Sequence, residues 1–253
     1  MCTLIVLFMV IQGFPVVAMH NRYAKLNAEE LPPKIISGKH AVCAPVDVES
    51  GGTWIGFNDA GLFAAVTDQH TGEEKPAEKS RGKLLLHLLS SFDNAREAVN
   101  HLKAEVSEGY KKGNYLIADR HEACHLLYDG KIYLWKLKPG PHILTNLTVL
   151  PGWRLEGETV EIYRRVKVRR GRAAELLKRI TGGLSVEEVL KELKVIASDH
   201  GGKPGETSIC YHGKGKWKTT SSTIIALAET PPNLKFFTLR ETPASTPSKT
   251  IPP

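Results

Sequence analysis

Cys2 is the residue best placed to do chemistry, because it begins an uncharged apolar run at the very start of the chain. Methionine aminopeptidase removes Met1 when the next side chain is small, and cysteine qualifies. Cys2 would then carry a free α-amine with a reference pKa of about 7.7–8.0, which can act as general base for its own thiol. The stretch equally fits a small apolar residue at a strand end, so both interpretations stay open at this point.

The same run must be a secretion signal, a membrane span or buried strand. A signal peptide needs a positively charged start, and none precedes the apolar residues. A membrane helix needs about 20 apolar residues, and the polar and turn-forming residues 12–15 interrupt this one. We therefore expect two buried strands, residues 3–10 and 14–19. A signal cleaved near Ala18 is the alternative.

A second chemical pattern is misleading. His121, Glu122 and His125 match H-E-x-x-H, which on a helix places two imidazoles on one face for zinc. Residues 114–135, however, have the short apolar runs and the Asp-Gly turn of a β-hairpin. Four residues along a strand span about 13 Å, too far for both rings to reach one metal at about 2.1 Å. The pattern therefore predicts no zinc site.

Composition narrows the remaining function classes. The four cysteines form no CxxC pair, which argues against a zinc cluster or a disulfide framework and favours a reducing, cytoplasmic location. The net charge of +7 comes from Lys and Arg interleaved with Glu, and no nucleic-acid-binding signature is present. Scarce glutamine beside plentiful Lys, Arg and Glu is typical of thermophiles. A basic cluster between residues 164 and 172 indicates a solvated face, with an anionic ligand or an acidic partner as the second interpretation.

The remaining elements follow from periodicity and turn signals. Residues 53–57 and 62–67 read as a hairpin, and residues 115–118, 124–128 and 131–137 as further strands. Leucines at 84, 85, 88 and 89 make one helical face, and a second helix starts beyond an Asp93 cap. Two more helices are expected at residues 172–180 and 186–193, the latter capped by Ser185, before strands at residues 207–211, 217–227 and 235–240. Residues 24–33, 69–79 and 139–157 read as loops, the last with a short strand. The order predicts an α+β sandwich as one domain over residues 1–240, with a disordered tail at 241–253.

Several landmarks, in order along nearly the whole chain, resemble the NRDE family, which includes the transport and Golgi organisation protein 2 group. They are the Met1-Cys2 start, Asn21-Arg22, "GGTWIG" at residues 51–56, "GLFAAVTD" at 61–68, "SRGKLLLHLL" at 80–89, "NYLIAD" at 114–119, Asn146 with the following "PGWRL", and "STIIAL" at 222–227.

The resemblance implies a four-layer αββα sandwich of the N-terminal nucleophile (Ntn) hydrolase type. Cysteine members of that superfamily, the penicillin V acylases and bile salt hydrolases, cleave amide bonds other than ordinary peptide bonds. Here Cys2 would attack a carbonyl and form a thioester, while Arg22 keeps the thiol ionised and Asn146 positions the amine or the substrate. Asp68 would occupy the oxyanion position, and no cofactor is required.

The chain departs from the family pattern at three of the positions that matter. Tyr23 and Ala24 stand where the family places Asp-Glu, and the missing aspartate normally accepts a hydrogen bond from the nucleophile. Asp68 replaces an asparagine donor, and losing such a donor typically costs on the order of a hundred- to thousand-fold in rate. Thr220 stands where a late-strand arginine is expected. These departures put efficient amidase chemistry in question.

Two functions of different class follow. The first is an Ntn-type cysteine hydrolase that acts on a non-peptide amide or a thioester. The second is a non-catalytic protein on the same scaffold that binds or transfers haem, acyl-coenzyme A or lipid. Either would use a pocket near Cys2, with substrate contacts from His20, Asn21, Trp54 and Trp153. No nucleic-acid partner and no transmembrane segment are expected.

Overall fold

The computed structural model describes residues 2–71, 78–201, 205–212 and 215–229, together with the backbone of residues 235–239. The described residues within 1–27 and 140–253 form one compact unit (unit 1), and those within 28–139 form a second (unit 2). Each unit combines one antiparallel sheet with two helices. Among the described residues, no helix is long and apolar enough to cross a membrane.

Unit 1 contains a five-stranded sheet built around the first hairpin of the chain. Its strands are β1 (Thr3–Ile11), β2 (Phe14–Lys25), β10 (Gly140–Thr145), β11 (Trp217–Leu227) and β12 (Lys235–Leu239), in the order β10-β1-β2-β11-β12. Two helices, α3 (Glu158–Leu177) and α4 (Val186–Ala197), pack on one face of this sheet. The apolar side chains that alternate along β1 and β2, among them Ile5, Leu7 and Met19, form the core beneath the helices. The two buried strands predicted at the start of the chain are confirmed.

Unit 2 contains a seven-stranded sheet in the order β3-β4-β5-β6-β7-β8-β9. The strands are β3 (Glu30–Ile36), β4 (Val42–Asp47), β5 (Ile55–Asn58), β6 (Phe63–Asp68), β7 (Gly113–Ala118), β8 (Ala123–Tyr128) and β9 (Ile132–Lys136). Helices α1 (Arg81–Ser91) and α2 (Ala95–Glu105) cover one face, and the four leucines of α1 are buried there as their spacing predicts. His121 lies in the turn before β8 and His125 on that strand, so H-E-x-x-H is not helical, as predicted.

The structure corrects several element predictions. Residues 30–36 and 42–47 form two paired strands, although the first carries two prolines that favoured a loop. The cap of α2 is Asn94, whose side chain accepts from the backbone N–H of Glu97, and not Asp93. Helix α3 begins at Glu158 rather than at residue 172, and residues 207–211 form turns rather than a strand. The capping box of Ser185 and Glu188 at α4 is confirmed.

Two glycines allow the backbone of the "GGTWIG" motif to contact the backbone of the "SRGK" motif in unit 2. A Cβ added at Gly52 would lie 2.3 Å from the carbonyl carbon of Gly82, and one added at Gly82 would lie 2.9 Å from the carbonyl oxygen of Thr53. The Thr53 N–H donates to the Gly82 carbonyl at 3.1 Å, so the start of α1 rests directly on the chain before β5. These motifs therefore carry a backbone packing contact.

We expect Gly52→Ala to lower the free energy of unfolding by about 2 kcal/mol or more, because the added methyl overlaps backbone that cannot rotate away. Urea denaturation of the full chain measures the change. Gly171→Ala is the matched control, since Gly171 is exposed on α3 with no atom near its missing Cβ. That control should gain up to about 1 kcal/mol from helix propensity. An unchanged midpoint for Gly52→Ala would contradict the close approach.

Candidate functional site

Three of the four residues predicted to be catalytic form one row across the sheet of unit 1. Thr3, the first residue of β1, pairs with both β2 and β10. Carried one residue further, this register places Cys2 between Arg22 on β2 and Asn146, the residue after β10. Directly opposed residues project to the same face of a sheet. The topology therefore brings together Cys2, Arg22 and Asn146 from three separate parts of the sequence.

This row belongs to the sheet face opposite the helices. Alternation along β1 and β2 sends Ile5 and Met19 to the helix side and leaves Cys2 and Arg22 on the other side. All three members of the row are buried, Cys2 and Arg22 with 8% exposure and Asn146 with none. A guanidinium beside a thiol favours the thiolate, which is the nucleophilic form, and the attraction is stronger where water is excluded.

Tyr23 contacts the thiol through its backbone. Its N–H donates to Cys2 Sγ at 3.4 Å, while its ring turns to the helix side, stacked on Trp217 and tilted against Tyr211. Burial, followed by the charge of Tyr211, raises the pKa of Tyr23 to about 12. The phenol is therefore neutral at physiological pH and cannot replace the carboxylate of the family pattern. A backbone donor to sulfur instead supports negative charge on the thiol.

Arg169 is a functional candidate that the sequence analysis missed. It was counted in a basic cluster assigned to a solvated face, yet it is fully buried. Its Nε donates to the Ser208 carbonyl at 2.8 Å, and a terminal NH2 group donates to the Glu206 carbonyl. The missed signal is its spacing, because position 169 shares the apolar stripe of α3 with Val166 and Ala173.

The charge of Arg169 acts on Cys2. Burial lowers the pKa of Arg169 to about 10, and the charge interactions with Cys2, Tyr23 and Glu206 oppose that fall. The guanidinium therefore stays positive at neutral pH. Because Coulombic coupling is mutual, a cation that gains from a thiolate at Cys2 also favours that thiolate.

Asn21 positions three neighbouring segments through its side-chain amide, and its predicted substrate contact stays a prediction. Its Nδ2 donates to the carbonyls of Ala197 at 2.8 Å and Ile209 at 3.1 Å, and its Oδ1 accepts from Ser222 Oγ at 2.8 Å. The residue has no exposed surface. One amide thus ties β2 to the end of α4, to the segment at residues 205–212 and to β11.

Two other predicted substrate contacts also lie in unit 1. His20 is fully buried on β2, paired with Leu4 and Thr223, and shares its sheet face with Arg22. Trp153 lies half-buried in the segment after β10. Substrate contact by either residue stays a prediction.

Asp68 and Trp54 belong to unit 2. Burial raises the pKa of Asp68, but Arg81 and His70 outweigh that effect, so the pKa lies below its ordinary value and the carboxyl is ionised. Its nearest cation is the Arg81 guanidinium, which forms an ion pair with it. Trp54 is buried directly before β5. The catalytic role of Asp68 and the substrate contact of Trp54 stay predictions.

Thr220 is the extra residue of a β-bulge. On β11, Thr219 pairs with Tyr23 and Ser221 pairs with Arg22, so Thr220 has no partner of its own in the ladder. The bulge lies at the position where the sequence analysis expects a family arginine. The register consequently makes Ser221 the residue that extends the Cys2 row onto β11.

Comparisons with known proteins agree on family and fold. The family model described as Transport and Golgi organisation 2 matches residues 1–238. The mouse Transport and Golgi organization 2 homolog is 27% identical over 113 residues, which cover 42% of this chain and 40% of the mouse protein. The chain thus matches less than half the length of that relative.

Solved structures show the fold. Penicillin V acylase from Agrobacterium tumefaciens superposes with a TM-score of 0.58 at 12% identity, over 95% of this chain and 83% of the acylase. A mutant conjugated bile acid hydrolase from Clostridium perfringens gives 0.60 at 12% identity, over 99% and 92%. The N-acylethanolamine-hydrolyzing acid amidase ortholog of Caenorhabditis elegans gives 0.61 at 11% identity, over 91% and 94%. The predicted Ntn-hydrolase type of αββα sandwich is confirmed.

Asn21→Ala should lower the free energy of unfolding by about 2–4 kcal/mol, because it leaves two buried carbonyls without their shared donor. Asn100→Ala is the control, since Asn100 is exposed on α2, and it should change stability by less than about 0.5 kcal/mol. Urea denaturation of both variants measures the difference. Equal midpoints for the two variants would show that the amide clamp is not a stabilising feature.

Proposed function

This chain belongs to the Transport and Golgi organisation 2 family, and from that membership and its Ntn-hydrolase fold we propose that it is a hydrolase with Cys2 as N-terminal nucleophile. The row formed by Cys2, Arg22 and Asn146 is the observation that carries the proposal. A thiol at the first position after methionine has no structural need to lie between a buried cation and a buried amide. Removal of Met1 is part of the proposal.

The mechanism uses the α-amine of processed Cys2 as its only proton carrier. The amine takes the thiol proton, and the thiolate attacks the carbonyl carbon of an amide or thioester to give a tetrahedral oxyanion. When that intermediate collapses, the bond to the leaving group breaks, and the leaving amine or thiol receives the proton from the α-ammonium. Water, deprotonated by the same amine, then hydrolyses the Cys2 thioester and releases the acid.

The neighbouring side chains have distinct tasks in this scheme. The thiolate is favoured by Arg22 beside it, by the backbone N–H of Tyr23 and by the buried charge of Arg169. Asn146 has an amide suited to hold the α-amine or the substrate carbonyl. The low dielectric around these buried groups strengthens each interaction relative to water.

The names of the comparison structures support a proposal for the substrate class. Their names describe an acylase, a conjugated bile acid hydrolase and an N-acylethanolamine-hydrolyzing amidase. We therefore propose acylated amines outside ordinary peptide bonds as the first class to screen, and acyl thioesters as the second. No step of the scheme needs a metal or an organic cofactor.

We expect purified native protein to lack Met1, and expect Cys2 to react with iodoacetamide at pH 7 faster than Cys43 or Cys124. Burial raises the pKa of the Cys43 and Cys124 thiols, that of Cys43 to about 11, so these two remain protonated at pH 7. Intact mass and peptide mapping of the alkylated protein measure both points. Cys2→Ala should abolish fast labelling and any hydrolysis, while Cys43→Ala retains them.

Retention of Met1 in native protein would remove the catalytic amine and reject the hydrolase. Under that outcome the second function becomes the one to pursue, a protein that binds haem or acyl-coenzyme A without turnover. Titration of haem and of an acyl-coenzyme A, followed by absorbance and calorimetry, then distinguishes the two ligands.

Arg169→Met should move the pH midpoint of Cys2 alkylation upward, because removing a nearby cation makes the thiolate less favourable. We expect alkylation at pH 7 to slow by about three- to tenfold, which corresponds to roughly half to one pKa unit. Arg164→Met is the matched control, since Arg164 lies exposed on the same helix and should leave the profile unchanged. A purely structural Arg169 would alter stability without moving the pH midpoint, which would refute the electrostatic role.

A further inference from the structure

Three metal-ligating side chains converge in unit 1 at residues unrelated to the rejected H-E-x-x-H pattern. The ring nitrogens of His200 and His212 and the sulfur of Cys210 all lie within 4.8 Å of one another. Cys210 Sγ is 3.1 Å from His212 Nε2, and the two imidazole rings are 5.3 Å apart between centroids. Cys210 is fully buried, whereas both histidines are partly exposed. The two histidines therefore have solvent-exposed surface, whereas the thiol between them in the cluster has none.

The backbone holds these side chains in place. The Cys210 N–H donates to the Asp199 carbonyl at 2.9 Å, which joins the two segments that carry the ligands. Ser208 Oγ donates to the His200 carbonyl at 2.9 Å. Tyr211, between the other two ligands, is tied to Thr219 of β11 by two hydrogen bonds, one in each direction. This scaffold reduces the ordering that a bound ion would otherwise have to impose.

The donor set selects a chemical class of ion. One thiolate and two imidazoles are borderline-soft ligands, which suit Zn²⁺ and neighbouring d-block ions rather than Mg²⁺ or Ca²⁺. With bond lengths of about 2.3 Å to sulfur and 2.0–2.1 Å to nitrogen, tetrahedral ligands lie about 3.3–3.6 Å apart. The separation of 3.1 Å between Cys210 Sγ and His212 Nε2 is slightly shorter than that range, and the other two separations do not exceed 4.8 Å, so small side-chain rotations would close the site.

We propose that His200, Cys210 and His212 bind a thiophilic divalent cation, with Zn²⁺ as the ion to test. Water would occupy the fourth coordination position of the ion, since the Asp199 carboxylate forms an ion pair with Arg172 at 2.7 Å. The adjoining residues 202–204 and 213–214 are Gly, Lys and Pro, which supply no ordinary zinc ligand. Three protein ligands with an open fourth position give an exchangeable ion. The site is independent of the proposed hydrolase, which needs no metal.

The test is competition of the full chain against a chromophoric chelator for Zn²⁺ at neutral pH. We expect one Zn²⁺ per chain, with release of the Cys210 proton on binding. Cys210→Ser and His212→Gln should each weaken binding by at least tenfold. Cys124→Ser and His121→Gln, which alter a buried thiol and an exposed imidazole elsewhere, should leave it unchanged.

Two further measurements separate zinc binding at this cluster from misfolding of a variant and from chelation at the N-terminus. Co²⁺ bound to the native protein should show a thiolate charge-transfer band. The band should persist in His212→Gln at a higher Co²⁺ concentration, because that variant keeps the thiol. This measurement tests the site even if Cys210→Ser does not fold. Cys2→Ala must retain the zinc site, because an N-terminal cysteine with a free amine can chelate zinc by itself. Loss of zinc in Cys2→Ala, or unaltered affinity in His212→Gln, would overturn the proposal and leave the proposed hydrolase untouched.

Discussion

The arrangement of unit 1 depends on one buried amide, that of Asn21. Its three hydrogen bonds join β2 to Ala197 at the end of α4, to Ile209 and to Ser222 of β11. An amide buried without partners would cost several kcal/mol, so the fold is committed to bringing these segments together at this point. Asn21 is also the residue before Arg22, so the clamp fixes the strand that presents the candidate site.

Charge around Cys2 is distributed over both faces of the same sheet. Arg22 lies beside the thiol on the face away from the helices, and Arg169 approaches from α3 on the helix side. A buried arginine is costly unless its donors are satisfied, and the carbonyls of Ser208 and Glu206 meet that need. Carbonyl oxygens carry no net charge, so these two hydrogen bonds satisfy the guanidinium without neutralising it. A carboxylate in their place would have offset its charge.

The elements that sequence predicts well are those whose signals are local. The opening hairpin follows from apolar runs and a turn, and α4 from a capping box. The sequence analysis predicted a loop in place of β3 because the strand contains two prolines. Prolines are tolerated there because β3 is an edge strand, where a residue without an N–H leaves no hydrogen bond unmade. The sequence did not reveal that Arg169 is buried, because the carbonyl that accepts from its terminal NH2 group lies 37 residues further along the chain. Without a known acceptor, a charged side chain on the apolar stripe of a helix is expected to lie in solvent.

The candidate site was predictable only in part for the same reason. Cys2, Arg22 and Asn146 come from three strands, so the family resemblance suggested their association and the register supplied it. Asn21 was predicted from the resemblance as a substrate contact, and Tyr23 was a departure from the family pattern. Alternation along β2 sends both side chains to the helix side, where Asn21 binds backbone carbonyls and Tyr23 packs on Trp217. Only the backbone N–H of Tyr23 reaches the thiol.

The segment at residues 205–212 connects the two proposed sites. It supplies the carbonyls of Glu206 and Ser208 that hold Arg169, and it carries two of the three proposed cation ligands, Cys210 and His212. The departures at Tyr23 and Thr220 lie on the strands next to this segment. The chain therefore departs from the family pattern next to the carbonyls that hold Arg169, the cation whose charge interacts with Cys2.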